Sequence, residues 1–303
     1  MFKDVLSLIG NTPLIQVGFS GPAKFLAKLE YLNPGGSIKD RSALYMIEQA
    51  EKEGLLKPGG TIIEASSGNQ AIALAMIGAI KKYKVVITLS GEKVSQEKIK
   101  AIKAYGAEIV ECPLTDSIDD PDSYHNRAKT ILTETPNAFM PDQYFNLKNP
   151  ETYYHSLAPE IWKQTEGKVT HFIAAVGTGG HISGVGKFLK EKDSNIKVIA
   201  VDTATSFHQT KGNPKPYKLE GIGIDFNAPC VDEKVIDEFF PVTDEQAIKM
   251  LKTMAREHGL LIGGSAGAVA YAGSEYAKQL SEGDLVVMVF ADSGRAYLSK
   301  NYY

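Results

Sequence analysis

Cysteine is almost missing from this chain: Cys112 and Cys230 are the only two among 303 residues. Two thiols cannot build a disulfide framework or a thiolate metal site, so both read as ordinary reduced cysteines. Long apolar runs are missing too. The strongest, residues 71–80, ends at Lys81-Lys82 and is far short of the roughly 18 residues that a membrane span needs. Nor is there an excess of basic charge, since 33 Lys and Arg face 36 Asp and Glu for a formal net charge of −3. Such a balance offers no broad basic surface to nucleic acid or to an acidic membrane. The start, Met1-Phe2-Lys3-Asp4, carries an early acid and no apolar leader core, so no secretory signal is legible and a cytoplasmic location is expected. What is present, 43% hydrophobic and 23% charged residues, is the composition of a globular chain that can bury a large core and enclose a cleft.

Short β-rich apolar runs at residues 61–65, 85–89, 172–176, 198–202 and 285–290 read as buried strands. They alternate with amphipathic, helix-length segments at about 40–53, 69–82, 95–105, 151–165, 180–192, 244–258 and 266–280. The alternation predicts an α/β fold with a mainly parallel sheet. Pro141, Asn146, Asn149 and Pro150 crowd the stretch 142–149 and mark a seam between two lobes. A second irregular stretch, 206–217, reads as a mobile surface loop. No repeat or low-complexity tract points to a scaffold.

Three segments put small residues directly between a strand and a helix: Ser66-Ser67-Gly68-Asn69, Gly177-Thr178-Gly179-Gly180-His181 and Gly263-Gly264-Ser265-Ala266-Gly267. Unpaired N–H groups at helix starts favour an anion, and glycine lets a ligand approach the backbone. The second loop fails both nucleotide motifs. A dinucleotide fingerprint from Gly177 requires glycine where Ile182 stands, and the lysine after Gly186 is followed by Phe188 rather than Ser or Thr. A phosphate monoester, held by amides and Thr178, suits it better than a pyrophosphate. The third loop matches the G-x-S-x-G elbow of α/β-hydrolases, but no histidine follows Ser265, so that reading lacks its general base.

Tyr31-Leu32-Asn33-Pro34-Gly35-Gly36-Ser37-Ile38-Lys39-Asp40-Arg41 places a lysine at a helix start behind a Pro-Gly-Gly turn. With this motif the sequence resembles the β-family (fold type II) of pyridoxal-phosphate enzymes, specifically cysteine synthase and the catalytic core of cystathionine β-synthase. The likeness runs from Gly10-Asn11-Thr12-Pro13-Leu14 to Asp292-Ser293-Gly294-Arg295-Ala296-Tyr297-Leu298-Ser299. It implies two lobes of twisted, mainly parallel sheets flanked by helices, as in the tryptophan synthase β-like fold. The smaller lobe would take residues 1–11 and 35–146, and the larger 12–34 and 147–303. By the same resemblance Lys39 would carry pyridoxal 5′-phosphate as a Schiff base and act as acid and base at the α carbon. Gly177, Thr178, Gly179, Gly180 and His181 would cradle the phosphate, and Ser265 would meet the pyridine nitrogen. Ser66, Ser67, Gly68, Asn69, Gln70 and Gln143 would bind the substrate, Asn69 also reaching the cofactor's 3′ oxygen. Gly223, in Glu220-Gly221-Ile222-Gly223, would border the substrate amino group.

Four positions depart from an ordinary cysteine synthase: Gln70-Ala71 for Thr-Gly, His181 and Leu157 each for a threonine, and Asp225 where acetylserine-using relatives carry a small residue. His181 could bring charge to the phosphate or pack as a neutral ring. Acetate leaves unaided, whereas hydroxide needs an acid, and the same carboxylate in reverse activates water. Asp225 therefore directs the expectation to L-cysteine or L-serine, with hydrogen sulfide released and water or a thiol taken up. The alternatives are an O-acetylserine-dependent cysteine synthase, a serine-dependent cystathionine β-synthase, and a catalytically silent protein that binds metabolites or docks a partner. The resemblance also implies a homodimer, and a bare catalytic core without the animal synthase's haem-binding and regulatory extensions.

Overall fold

The computed structural model describes residues 2–90, 94–115 and 119–303. Ten strands form two sheets among the described residues. β1 (Leu14–Val17), β2 (Lys24–Leu29), β7 (His171–Ala175), β8 (Lys197–Thr203), β9 (Glu238–Val242) and β10 (Leu285–Phe290) make a six-stranded sheet in the order β1-β2-β10-β7-β8-β9. β3 (Thr61–Ala65), β4 (Lys84–Leu89), β5 (Glu108–Glu111) and β6 (Ala138–Phe139) make a four-stranded sheet in the order β5-β4-β3-β6. Every pairing is parallel except β1 with β2. The chain crosses from the larger sheet to the smaller after β2 and returns after β6.

The apolar runs are continuous because the central strands bury both faces. In β7, Phe172 and Ala174 face one hydrophobic cluster while Ile173 and Ala175 face the other; in β10, Val287 and Val289 oppose Val286 and Met288. The period of two thus serves two helical layers. On one side lie α5 (Lys148–His155), α6 (Leu157–Gln164) and α7 (Gly180–Lys192); on the other, α8 (Asp244–His258) and α9 (Gly264–Tyr276). The smaller sheet packs against α1 (Lys39–Lys52), α2 (Asn69–Lys81) and α3 (Gln96–Ala104) on one side and α4 (Tyr124–Glu134) on the other.

Two expectations are corrected. The helix read over 151–165 is two helices, α5 and α6, broken at Ser156. Pro159 cannot donate to the carbonyl four residues earlier and its ring crowds that carbonyl, so one straight helix is not available. The stretch 206–217, expected as a mobile surface loop, is anchored: Phe207 N–H donates to Ile224 O (2.8 Å), Lys215 N–H to Thr205 O (2.9 Å), and Ser206 is fully buried on Asp202. Helix α4 carried too few buried apolar positions to be legible, since only His125 and Ala128 are buried within it.

Candidate functional site

Three helices present glycine at the N-cap, Gly68 for α2, Gly179 for α7 and Gly263 for α9, and none has a side-chain capping hydrogen bond. Among the described α-helices only two carry a side-chain cap: Ser123 caps α4, and Thr243 with Gln246 makes a full capping box on α8. What sets α2, α7 and α9 apart from the other uncapped helices is the glycine at their N-caps. The first N–H groups of α2, α7 and α9 are therefore left without a capping side chain. Gly179 requires its glycine twice over, with φ at +85° and only 2.4 Å between a built Cβ and Val231 Cγ2.

Lys39, the first residue of α1, lies against the α7 loop, and its Nζ donates to Thr178 Oγ1 at 3.2 Å. Burial lowers its pKa to about 8, with Cys230 and Glu64 pulling weakly the other way. A neutral amine is thereby accessible near physiological pH. His181, in the first turn of α7, is buried edge-on to Tyr153, with ring centroids 5.9 Å apart, and its Nε2 has no partner. Burial, reinforced by Lys39, drives it down to about 3, so the imidazole is neutral.

The other loop assembles around Glu64, a carboxyl in the fully buried strand β3. It accepts the backbone N–H groups of Asp142 (2.8 Å) and Gln143 (3.2 Å) and so holds Gln143 over the start of α2. Burial pushes Glu64 up to about 8 against those two donors. Gln143 Nε2 lies 3.5 Å from Ser66 Oγ, and its Oε1 is buried without a partner. Ser67 and Gly68 are partly exposed beside them. Asn69 Nδ2 donates to Asp292 Oδ2 at 2.6 Å, tying the α2 start to the end of β10. Gln70 turns to α1, its Oε1 3.4 Å from Ser42 Oγ, with Nε2 unpartnered.

The segment 219–226 closes a third side. Gly223 N–H donates to Val176 O at 2.7 Å, and a Cβ built on Gly177 would stand 3.0 Å from Gly221 O. Ser265 Oγ lies 3.8 Å from the Cβ position of Gly221. Asp225 is exposed and takes a hydrogen bond from the Tyr217 hydroxyl, with Tyr144 and Tyr124 close enough to feel its charge. Phe226 stacks on Phe145 at 5.8 Å and 7°, joining this segment to the one that carries Gln143.

Several participants had no reading in the sequence. Glu64 lies inside the strand read over 61–65 and had no role there, although an acid inside an apolar strand is itself a signal. Asn149 was read only as part of a seam. Lys98 of α3 pairs with Glu220 at 2.7 Å and lies over the Tyr297 ring at 4.1 Å, bridging the two sheets' layers; nothing local distinguishes it from other helical lysines.

A lysine able to be neutral, three helix starts at glycine without a capping side chain, and the buried, unpartnered His181 Nε2 fit a phosphate-bearing carbonyl cofactor. The arrangement defines a cofactor-dependent enzyme. The family model for pyridoxal-phosphate-dependent enzymes matches residues 5–292. The chain is 42% identical over 309 residues to a cystathionine β-synthase of Apis mellifera, covering 99% of this chain and 61% of that one. It thus spans only about three-fifths of the length of such relatives. Among solved structures it is similar to an O-acetylserine-dependent cystathionine β-synthase from Helicobacter pylori, at 34% identity and a TM-score of 0.92 over 100% of this chain and 99% of that one. It is equally similar to a hydrogen sulfide-producing enzyme from Fusobacterium nucleatum, at 37% identity and a TM-score of 0.92 over 98% of each chain. The chain belongs to the pyridoxal-phosphate-dependent enzymes, in the cysteine synthase and cystathionine β-synthase branch, and its cofactor is pyridoxal 5′-phosphate.

Proposed function

We propose that this protein replaces the β substituent of a small amino acid, taking L-cysteine, releasing hydrogen sulfide and adding water or a thiol. Water gives serine; a second cysteine gives lanthionine. Asp225 carries this reading: an exposed carboxylate held by Tyr217 on the segment that borders the α7 loop. The hydrogen sulfide-producing relative supports the same product.

Bound pyridoxal phosphate supplies the electron sink that stabilises negative charge at the α carbon. Lys39 would hold the cofactor, and its Nζ, buried and able to be neutral, would take the proton from the substrate α carbon. Ser66, Ser67, Gly68, Asn69 and Gln143 bind the substrate carboxylate at the start of α2, where N–H groups and hydroxyls converge, and Gln70, in the first turn of α2, braces that loop against Ser42 of α1. Gly177, Thr178, Gly179, Gly180 and His181 receive the phosphate, His181 as a neutral ring, while Ser265 meets the pyridine nitrogen and Gly223 borders the amino group. Asp225, oriented by Tyr217, takes the proton from the incoming water or thiol. The protein works as a cytoplasmic homodimer.

A second reading, O-acetylserine as donor, is favoured by the Helicobacter pylori likeness. Product analysis of the cofactor-loaded protein decides between them. Given L-cysteine alone, wild type is expected to release sulfide with serine or lanthionine, and D225N to lose at least about tenfold in turnover. Absence of sulfide, with rapid cysteine formation from O-acetylserine and sulfide, selects the second reading.

A further inference from the structure

Asn149, the second residue of α5, is fully buried, and its one amide joins the two sides of the site. Nδ2 donates to the backbone carbonyl of Gln143 at 2.7 Å and to Thr178 Oγ1 at 2.9 Å. A carbonyl oxygen only accepts, so the NH2 end of Asn149 must face Gln143, and the orientation of the amide is fixed. The opposite end, Oδ1, has no partner and lies 2.1 Å from where a Cβ on Gly180 would stand. A Cβ on Gly184 would likewise stand 2.1 Å from Pro150 O, so α5 is pressed onto the first turns of α7 and Asn149 has no room to slide.

This contact decides which way the Thr178 hydroxyl points. A threonine hydroxyl has two acceptor sites and one hydrogen. Asn149 Nδ2 can only donate to Thr178 Oγ1, so the hydroxyl hydrogen cannot be given to Asn149 and is left for another acceptor; Lys39 Nζ takes a second position on the same oxygen as long as it carries no cofactor. We propose that Asn149 is a positioning residue that locks the substrate-side Gln143 to the phosphate-side Thr178 and keeps the Thr178 hydroxyl as a donor into the α7 loop. The inference rests on the reading of that loop as the phosphate cradle.

A double-mutant cycle on cofactor affinity tests it, with the phosphorus-31 resonance of the bound cofactor as a second readout. N149D puts a carboxylate where the amide donors stood, so the Thr178 hydrogen turns inward to it and away from the loop. Both N149D and the isosteric T178V are expected to weaken cofactor binding about ten- to hundredfold and to move the phosphorus resonance. Because one acts through the other, N149D/T178V is expected to be no weaker than about twofold beyond the worse single variant. If N149D does not fold, N149S, which keeps a small donor, enters the same cycle with a smaller loss. Wild-type affinity in the Asn149 variant, or losses that multiply, overturns the inference while leaving the cradle reading intact. Wild-type affinity in T178V overturns the cradle reading and the inference with it.

Discussion

The charge on Lys39 is set by where its amine sits rather than by its neighbours in sequence. Burial lowers its pKa from 10.5 to about 8, while Glu64 and Cys230 oppose the shift. Uptake of pyridoxal phosphate by cofactor-free protein needs the neutral amine. Its rate is therefore expected to rise with pH with a midpoint near 8, and a midpoint near that of an exposed lysine would contradict the assignment. His181 behaves in the opposite sense: with its pKa near 3 it stays neutral, so cofactor affinity should show no histidine step around pH 6.5. K39A, which removes the amine altogether, is expected to abolish the visible band of the lysine-bound cofactor and to cut turnover by at least about a thousandfold.

At the scale of the element, a capped helix start and a glycine start predict different consequences of substitution. Helices α2, α7 and α9 begin at bare glycines, whereas α8 is closed by Thr243 and Gln246. Thr243→Ala is expected to lower stability by about 1 kcal/mol in denaturant titration and to leave cofactor affinity unchanged. Gly180→Ala should lower stability and cofactor affinity together. Its Cβ would stand 2.1 Å from Asn149 Oδ1, so the amide or the α7 start must shift, at a cost of about 1–3 kcal/mol together with a measurable loss of cofactor affinity. Unchanged affinity in Gly180→Ala would detach the α7 start from the cofactor.

For the whole molecule, buried charge shapes stability against pH. Glu64 has a folded pKa of about 8 against 4.5 unfolded, so its contribution is fully present below 4.5 and is lost as pH rises through 8. Relative to Glu64→Gln, cofactor-free wild type should therefore lose about 1.4 kcal/mol of stability per pH unit across that window. Denaturant midpoints of the two proteins at several pH values check this, and a constant difference would mean that Glu64 is ionised throughout. Lys39 works oppositely, its burial penalty easing as pH climbs from 8 to 10.5. The layers themselves are tied by Lys98 to Glu220 and by Arg41, which pairs with both Glu30 and Glu160 at 2.7 Å. Glu160 is held down to about 2 by Arg41 and Lys28 despite its burial, so its contribution survives to low pH.

Local chemistry was legible in the residues themselves. Apolar runs of strand length, glycines at strand-to-helix junctions and Lys39 behind its turn depend only on neighbours within a few positions, and from them the α/β class and the three glycine-led helix starts follow. The break at Ser156 was in principle legible in Pro159, but the shared amphipathic pattern of α5 and α6 concealed it. Other features arose only when distant segments met. Asn149 reaches Thr178 across 29 positions, Asn69 reaches Asp292 across 223, and Asp225 finds Tyr217 only because the 206–217 stretch is anchored at both ends. No periodicity encodes such pairings. They depend on how two sheets and their helices pack, and the same packing buries Lys39, Glu64 and His181 and so sets their charge.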